Sequence, residues 1–219
     1  MATYPRGDVD ETAAPPETRA ERRERATADT RASILAAARS RLLAVGYANL
    51  STRTVAEAAE VPLSQIHYHF GSKQHLILAV LEGENERLLE RQRGLFGGPE
   101  PLWQQWDRAC DYLDEDLESG YVRVLQEMIA AGWSDPEVAA AVRQFWIGWF
   151  RLLAEVAEAA ASRIRGGLGP FVPAEAGLLM GLPFIGAESA ILLGFTEEEL
   201  PSRSALRKVG SIIRSLEEA

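Results

Sequence analysis

A proline between two short helical patterns is the feature that most restricts the fold of this chain. The segment TVAEAAEV ends at Val61, and LSQIHYHF begins at Leu63, directly after Pro62. Proline lacks a backbone N–H donor and disfavours helix at the residue before it, so the chain must turn here. Two short helices separated by a tight turn, with alanines where they approach each other, are typical of a helix-turn-helix unit.

Helical patterns on both sides complete a three-helix domain. Apolar residues recur at helical spacing after Asp29 or Thr30, the expected N-cap, and Gly46 is the expected end of this first helix. Gly71 ends the helix after the proline, and Ser72 caps a longer fourth helix. We therefore predict a helix-turn-helix domain over residues 29–76, continuing into a linking helix that extends to about residue 92.

The helix after Pro62 combines an apolar base with polar side chains on its other faces. Ile66 and Phe70 lie four residues apart and face inward together with Val61. The remaining side chains suit nucleic acid, because Gln pairs with adenine, Ser bonds bases or phosphates, Leu contacts a thymine methyl, and Tyr and His donate to phosphates. The candidate DNA contacts on this helix are Leu63, Ser64, Gln65, His67, Tyr68 and His69.

The three histidines lie within nine residues, at positions 67, 69 and 75, which raises the alternatives of a metal site or an active site. Residues at i and i+2 point about 200° apart on a helix, so His67 and His69 cannot readily share one metal ion. The sequence contains no nucleophile–base arrangement and no phosphate-cradling glycine loop. We expect no metal, no cofactor and no catalytic residues. Packing of the His67 or Tyr68 ring within the small domain is the structural alternative to DNA contact.

A 52-residue segment contains TVAEAAEV followed by IHYHFGSKQHL. In this order of motifs it resembles the TetR family of bacterial transcriptional regulators. The resemblance implies that Thr52 or Arg53, the polar residues of the helix after Pro62, and Lys73 contact operator DNA. Lys73 beside the amides of a helix N-terminus also forms an anion site on physical grounds, with a solvated lysine as the alternative. Glu60 occupies a turn position that is usually Gly in the family, while Pro62 and Leu63 replace a Ser and a basic residue.

The distribution of charge also separates the predicted helix-turn-helix domain from the rest of the chain. Residues 29–76 carry five basic and three acidic groups, whereas residues 77–219 carry 13 basic and 23 acidic groups. Such asymmetry suggests that the first part binds an anion and the second does not. A single cysteine excludes an intramolecular disulfide, and the absence of a signal-like apolar run makes the cytoplasm the expected location.

Two further segments carry expectations that the structure tests. Residues 1–28 mix Pro, Gly and both charge signs without apolar periodicity, so we expect a flexible arm. Its Arg19, Arg22, Arg23 and Arg25 either reach a DNA minor groove or are solvated beside glutamates. The apolar segment 171–195 contains Pro183 and glutamates and lacks the roughly 20 uncharged residues of a membrane span. We expect it to form a buried helix, with no membrane partner.

Residues 77–219 contain helical patterns throughout. All five tryptophans lie between positions 103 and 149. They either line a pocket for a flat or apolar small molecule or form part of the hydrophobic core. Arg123 and Glu127 also fit an i, i+4 ion pair. The resemblance implies an inducer site in this half. The candidate ligand contacts are Trp106, Asp111, Arg123, Glu127, Trp133, Phe145 and Trp149.

The last two helical patterns predict a homodimer, because they carry more apolar surface than one chain can cover. The candidate interface residues are Leu182, Ile185, Glu188, Leu206, Val209, Ile212, Ile213 and Leu216. The predicted fold is therefore all-α, with an N-terminal three-helix helix-turn-helix domain and a larger helical ligand-binding and dimerisation domain over residues 77–219. The predicted function is a repressor released from double-stranded operator DNA by a small molecule. The alternatives are a regulator without an effector and an activator.

Overall fold

The structure, a computed structural model, describes residues 18–218 and confirms the all-α prediction. Within these residues the chain forms nine helices and no strand. The helices are α1 (Arg19–Asn49), α2 (Thr52–Ala58), α3 (Leu63–Phe70), α4 (Lys73–Phe96), α5 (Leu102–Ser119), α6 (Tyr121–Gly132), α7 (Pro136–Ala160), α8 (Pro173–Leu192) and α9 (Ser202–Glu217).

Helix α1 begins eleven residues before the predicted start at Thr30. Thr18 is its N-cap: the Thr18 hydroxyl accepts from the Glu21 N–H at 3.2 Å, and the Glu21 carboxylate accepts from the Thr18 N–H. This capping box is followed by Ala, Glu and Arg, which favour helix without burying an apolar face. The prediction of a flexible arm is therefore wrong for residues 19–28, and its first 17 residues lie outside the described part of the chain.

Gly46 interrupts α1, and the helix continues to Asn49 beyond it. The backbone at Gly46 has φ 80°, and a Cβ built there would lie only 2.7 Å from Oε1 of Glu127. The Tyr47 N–H donates to the carboxylate of Glu127, which comes from α6. Glycine is required here because it permits both the positive φ and the close approach of this carboxylate.

Helices α2 and α3 meet at the turn that the proline predicts. Glu60 takes the left-handed conformation, with φ 56°, and Pro62 is the N-cap of α3. Ile66 is completely buried and Phe70 is 8% exposed, as predicted. Their core also includes three residues of the later helices, Val124, Met128 and Val138. The boundary at residue 76 thus divides one continuous apolar core.

Helix α7 ends at Ala160, before the paired glycines Gly166 and Gly167. Residues 161–169 instead form turns, so that the Arg165 N–H donates to the Leu216 carbonyl of α9 at 3.0 Å. The Arg163 guanidinium donates at 3.1 Å to the Glu217 carboxylate of the same helix. These contacts close the C-terminal helix onto the end of α7.

Helix α8 packs on α7 through glycines, and the prediction that it is buried is wrong for the single chain. A Cβ at Gly177 would lie 2.6 Å from the Ala154 nitrogen, so the two helix backbones touch. This contact uses one side of α8 and leaves Leu178, Leu179 and Leu182 exposed on other sides. By length and hydropathy alone, α8 could cross a membrane. In this structure 22% of its most apolar stretch is buried. These leucines form an exposed apolar surface on α8.

Candidate DNA-binding surface and ligand cavity

The structure exposes the polar side chains of α3 above its buried base. Tyr68 is 74% exposed, and Leu63, Ser64 and His67 are also exposed. Gln65 and His69 are partly buried at the edges of the same surface. All six candidate residues on this helix therefore lie on its exposed side or at its edges, away from the buried Ile66 and Phe70.

Two of the three histidines belong to this surface, and the third does not. The ring of His69 lies edge-on to Tyr68, with centroids 5.0 Å apart, and Nδ1 of His67 is 3.2 Å from the Gly71 carbonyl. His75 lies on α4, where its Nε2 is 2.7 Å from Oε1 of Glu137 on α7. The histidine cluster in the sequence is thus two recognition-helix side chains and one contact between helices.

The remaining candidate DNA contacts flank α3. Ser51, rather than Thr52, is the N-cap of α2, and its hydroxyl accepts from the Arg53 N–H at 3.2 Å. Lys73 begins α4, with Nζ at 3.5 Å from the Ala48 carbonyl and 5.5 Å from the centre of the Tyr47 ring. Arg53 and Lys73 therefore lie at the starts of the two helices that bracket the recognition helix.

The N-terminal extension of α1 forms a basic cleft with α3. Arg19, Arg23 and Arg31 are spaced at four or eight residues, so they share one helix face, and they line this cleft together with Tyr68. Glu24 is the acidic residue of the lining. We call this surface, lined by Arg19, Arg23, Arg31 and Tyr68, the basic cleft.

A cavity of about 50 Å³ lies in the body of the protein between α4, α5, α6, α7 and α8. Three candidate ligand residues, Trp106, Phe145 and Trp149, are in its wall. Trp149 donates to Oε1 of Gln92 at 2.8 Å, and Trp106 donates to the Leu206 carbonyl at 2.7 Å, so both indoles are fixed. The other lining residues are Leu88, Gln92, Phe96, Ala109, Tyr112, Leu113, Asp116, Tyr121, Val122, Leu125, Trp146, Leu153, Met180, Phe184, Ile185 and Glu188.

The other four candidate ligand residues lie outside this cavity. Asp111 accepts from Arg207 at 2.8 Å on the surface, where this hydrogen bond lowers the pKa of the carboxyl group. Trp133 is 84% exposed. Arg123 donates to the Leu43 carbonyl at 2.6 Å, and Glu127 accepts from Tyr47. These last two are not an ion pair with each other but two links from α6 to α1.

Glu188, which the sequence places among the candidate interface residues, lines the cavity. Its carboxylate accepts from Nε2 of Gln126 at 2.8 Å, and Oε1 of Gln126 accepts from the Ser189 hydroxyl at 2.9 Å. Burial raises the pKa of Glu188 to about 7, and the nearby Asp116 acts in the same direction. Glu188 lies one turn after Phe184 and Ile185 in the same helix and therefore shares their face.

The second carboxylate of the cavity has a cationic partner. Arg91 donates to Asp116, and its guanidinium carbon lies 4.2 Å from the centre of the Tyr112 ring. The guanidinium of Arg108 lies 4.6 Å from the same ring centre. Burial raises the pKa of Asp116, and the hydrogen bond from Arg91 opposes this effect.

The predicted dimer residues divide between the interior and the surface. Ile185 and Glu188 line the cavity, and Leu206 is 4% exposed because it packs against Trp106 of α5. In the single chain these three side chains therefore point toward the interior rather than the outer surface. Val209 and Ile213 are partly buried in the same cluster. Leu182, Ile212, which is 59% exposed, and Leu216 remain available on the outer faces of α8 and α9.

Helix α6 connects the cavity to the helix-turn-helix core. Tyr121 and Leu125 line the cavity, whereas Val124 and Met128 pack in the core that also holds Ile66. Helix α4 makes a second connection, because it starts at Lys73 and carries Leu88, Gln92 and Phe96 into the cavity wall.

Comparison with known proteins agrees with this organisation. The family model for bacterial regulatory proteins of the tetR family matches residues 34–80. The HTH-type transcriptional regulator UidR of Escherichia coli K12 is 29% identical over 120 residues, which are 52% of this chain and 57% of that protein. The alignment thus spans little more than half of this curated relative.

Solved structures match over most of the chain. A TetR-family regulator from Rhodococcus sp., described as putative, superimposes with TM-score 0.67 and 19% identity over 87% of this chain and 99% of that one. A regulator from Saccharomonospora viridis in complex with choline gives TM-score 0.66 and 17% identity over 86% and 96%. At these identities the structural matches show the fold. The family model, in turn, covers the helix-turn-helix segment, so the resemblance to the tetR family rests on residues 34–80.

Proposed function

We propose that this protein is a homodimeric, DNA-binding transcriptional regulator of the cytoplasm, which represses its target and is released from the operator by a small molecule. The observation that carries the proposal is the exposed polar surface of α3, held above the buried Ile66 and Phe70. A rigid helix that presents Gln, Ser, His and Tyr side chains on a basic domain is suited to the major groove of DNA.

The side chains around α3 divide into base contacts and phosphate contacts. Gln65 and Ser64 have the hydrogen-bonding groups that distinguish base edges. Arg53 and Lys73, at the starts of α2 and α4, bracket α3 and supply charge to the DNA backbone. The first pair therefore determines sequence preference, and the second pair determines affinity and register.

The basic cleft extends the phosphate-binding surface beyond the recognition helix. Arg19 and Arg23 lie on the α1 extension, and they line the same concave surface as the exposed Tyr68. Because α1 is helical here, these arginines reach the DNA from a rigid rod rather than from an extended strand. We expect them to contact phosphates that flank each half-site.

The exposed apolar surface of α8 and α9 provides the dimer contact. Leu178, Leu179, Leu182 and Ile212 are exposed in the single chain, and a two-fold interface would bury them. A dimer places two α3 helices on DNA, and they enter successive major grooves when their half-sites lie about 34 to 36 Å apart.

Expansion of the cavity supplies a mechanism for release. About 50 Å³ is much less than the roughly 300 Å³ of a small ligand pocket, so a ligand of ordinary size must move the walls apart. Movement of α6 is transmitted to α1 through Arg123 and Glu127, and movement of α4 displaces Lys73. Either motion changes the distance between the two recognition helices, so ligand and operator compete.

The cavity favours the effector-controlled regulator over one without an effector. A protein without an effector needs only a filled core between α4 and α8, whereas the cavity brings three tryptophans and two carboxylates together. The fold neighbour solved with choline is a protein of this architecture in complex with a small molecule. Repression rather than activation is part of the proposal.

Electrophoretic retardation with genomic DNA fragments tests the proposal. The wild-type protein is expected to retard a specific fragment, with affinity that falls as salt rises. Gln65→Ala should reduce discrimination at one base pair by about 1 to 3 kcal/mol, and Lys73→Ala should weaken binding to all sequences and reduce the salt slope by about one. Lys208→Ala, at an exposed lysine of α9, is the matched control. Indifference of DNA binding to both test substitutions would contradict the proposal.

A further inference from the structure

We propose that the cavity binds a small organic cation with an apolar body, and that Glu188 provides the counter-charge. This inference deepens the proposed function, because it takes the cavity to be the effector site and assigns a ligand class to it. Three features carry the inference: a carboxylate without a basic partner, the hydrogen bonds that orient it, and the aromatic walls around it.

Glu188 differs from three other enclosed carboxylates of residues 18–218, each of which pairs with an arginine. Asp116 pairs with Arg91, Glu84 accepts from Arg39 at 2.6 Å, and Glu217 pairs with Arg163 at 3.1 Å. Among residues 18–218, by contrast, no arginine, lysine or histidine lies within ion-pair distance of Glu188. An enclosed carboxylate without a cation is costly unless a ligand supplies the charge.

The hydrogen bond from Gln126 orients the Glu188 carboxylate but leaves its charge uncompensated. Ser189 donates to the carbonyl oxygen of the Gln126 side chain, which fixes the amide with its NH₂ toward Glu188. This donor is neutral. The pKa of Glu188 is raised to about 7 because burial penalises the charged form, and a bound cation would remove part of that penalty.

The walls of the cavity suit a cation with an apolar body. Trp106 lies edge-on to Phe184 with ring centroids 5.3 Å apart, and Phe145 stacks on Trp149 at 6.4 Å. Indole faces attract organic cations, and an ammonium with alkyl or aryl substituents gains from both the charge and the apolar contact. The Tyr112 ring already interacts with Arg91 and Arg108, so the tryptophans are the rings available to a ligand.

The titratable groups of the cavity wall predict how binding depends on pH. Helix α5 contributes Tyr112 and Asp116, and Asp116 is paired with Arg91 of α4. Helix α6 contributes Tyr121, whose pKa is raised by burial, so it stays neutral. The lining residues of α7 are Phe145, Trp146, Trp149 and Leu153, none of which titrates. Glu188 is therefore the wall group that changes charge near pH 7.

A matched pair of ligands tests the charge requirement. Benzyltrimethylammonium and neopentylbenzene have nearly the same shape, and only the first is charged. In titration calorimetry with the full-length protein, the ammonium is expected to bind wild type at pH 8 at least tenfold more tightly than the hydrocarbon. With a pKa of about 7 for Glu188, ammonium affinity should fall about tenfold between pH 8 and pH 6, whereas hydrocarbon affinity should not change.

Glu188→Gln keeps the shape of the side chain and removes its charge. This variant is expected to lose at least tenfold in ammonium affinity at pH 8 and to lose the pH dependence, while hydrocarbon binding stays equal or tightens. Glu118→Gln, at an exposed acid of α5, is the matched control and should bind both ligands like wild type. Far-UV circular dichroism checks that each variant is folded, and the pH series on wild type gives a result that needs no variant.

Equal affinity for the two ligands, ammonium binding that is unchanged in Glu188→Gln, or no saturable ammonium binding at pH 8 would each overturn the inference. Retardation of DNA by the ligand-free protein distinguishes this failure from failure of the proposed function. If DNA is bound and the ammonium is not, the proposed ligand class is wrong and the proposed function as a DNA-binding regulator is retained. If DNA is not retarded, the proposed function fails independently of ligand binding.

Discussion

Neutralising Glu188 should stabilise the protein in neutral and alkaline solution but much less in acid. The raised pKa means that the folded state holds a proton that the unfolded chain, with an ordinary carboxyl pKa, has already released. The stability associated with this proton is fully present below the unfolded pKa and is lost as pH rises through the folded value of about 7. Wild type therefore loses stability between about pH 5 and pH 7 through this group, and Glu188→Gln does not.

The structure sets the size of the effect. One pKa unit corresponds to about 1.4 kcal/mol, so a rise from the ordinary carboxyl value to about 7 corresponds to roughly 3 kcal/mol. The hydrogen bond from Gln126 is retained in the variant only if the new amide presents its oxygen to Gln126. The net gain from Glu188→Gln at pH 8 relative to pH 5 is therefore expected at about 2 to 3 kcal/mol.

Urea unfolding measures this difference directly. Wild type, Glu188→Gln and the control Glu118→Gln are unfolded at pH 5 and pH 8 and followed by far-UV circular dichroism at one protein concentration, because a dimer's stability depends on concentration. The comparison isolates one group, since all other titrations are common to the three proteins. A stability difference between wild type and Glu188→Gln that is the same at both pH values would refute the reasoning.

Three further substitutions test other parts of the structure. Ile66→Ala removes a fully buried side chain beneath the recognition helix and should lower the free energy of unfolding by about 2 to 5 kcal/mol in urea denaturation; a loss below 0.5 kcal/mol would contradict the assigned core. Gly46→Ala introduces a Cβ 2.7 Å from Oε1 of Glu127 at φ 80°, so it should raise amide hydrogen exchange at Tyr47, and unchanged protection would argue against that link. Arg23→Ala in the basic cleft should reduce the salt slope of DNA binding by about one without changing the preferred sequence; an unaltered slope would remove the cleft from the DNA surface.

The sequence was sufficient for the helix-turn-helix because its signals are local. Pro62, Gly71 and Ser72 fix the ends of α3 and the start of α4, and all three act through their own backbone or that of near neighbours. The four-residue spacing of Ile66 and Phe70 then determines which side of α3 is buried. The exposed candidates on α3 follow from that choice.

Predictions that depend on distant contacts were less successful. Glu127 and Arg123 are charged residues on an otherwise apolar helix, and a ligand-binding site would have the same sequence pattern. Only the packing of α6 on α1 shows that Glu127 bonds to Tyr47 and Arg123 to Leu43. Glu188 was assigned to the interface because α8 is apolar on all sides, so its sequence does not indicate which side faces the cavity. The close packing of Gly177 and Gly181 on α7 determines which side of α8 faces the cavity.

The early start of α1 was missed for a different reason. Residues 19–28 have no apolar periodicity, and the helix there rests on the Thr18 capping box and on helix-forming residues rather than on burial. A search for the Thr-x-x-Glu pattern would have identified this start.

Selection of binding sites from a pool of random DNA duplexes tests the central claim most directly. The account predicts enrichment of one sequence with two half-sites related by two-fold symmetry, with centres about 34 to 36 Å apart along the duplex. Gln65→Ala should relax one position in each half-site and leave the spacing unchanged. Recovery of no enriched sequence, or of a single half-site without its symmetric mate, would contradict the assignment of α3 as the DNA-reading helix of a dimer.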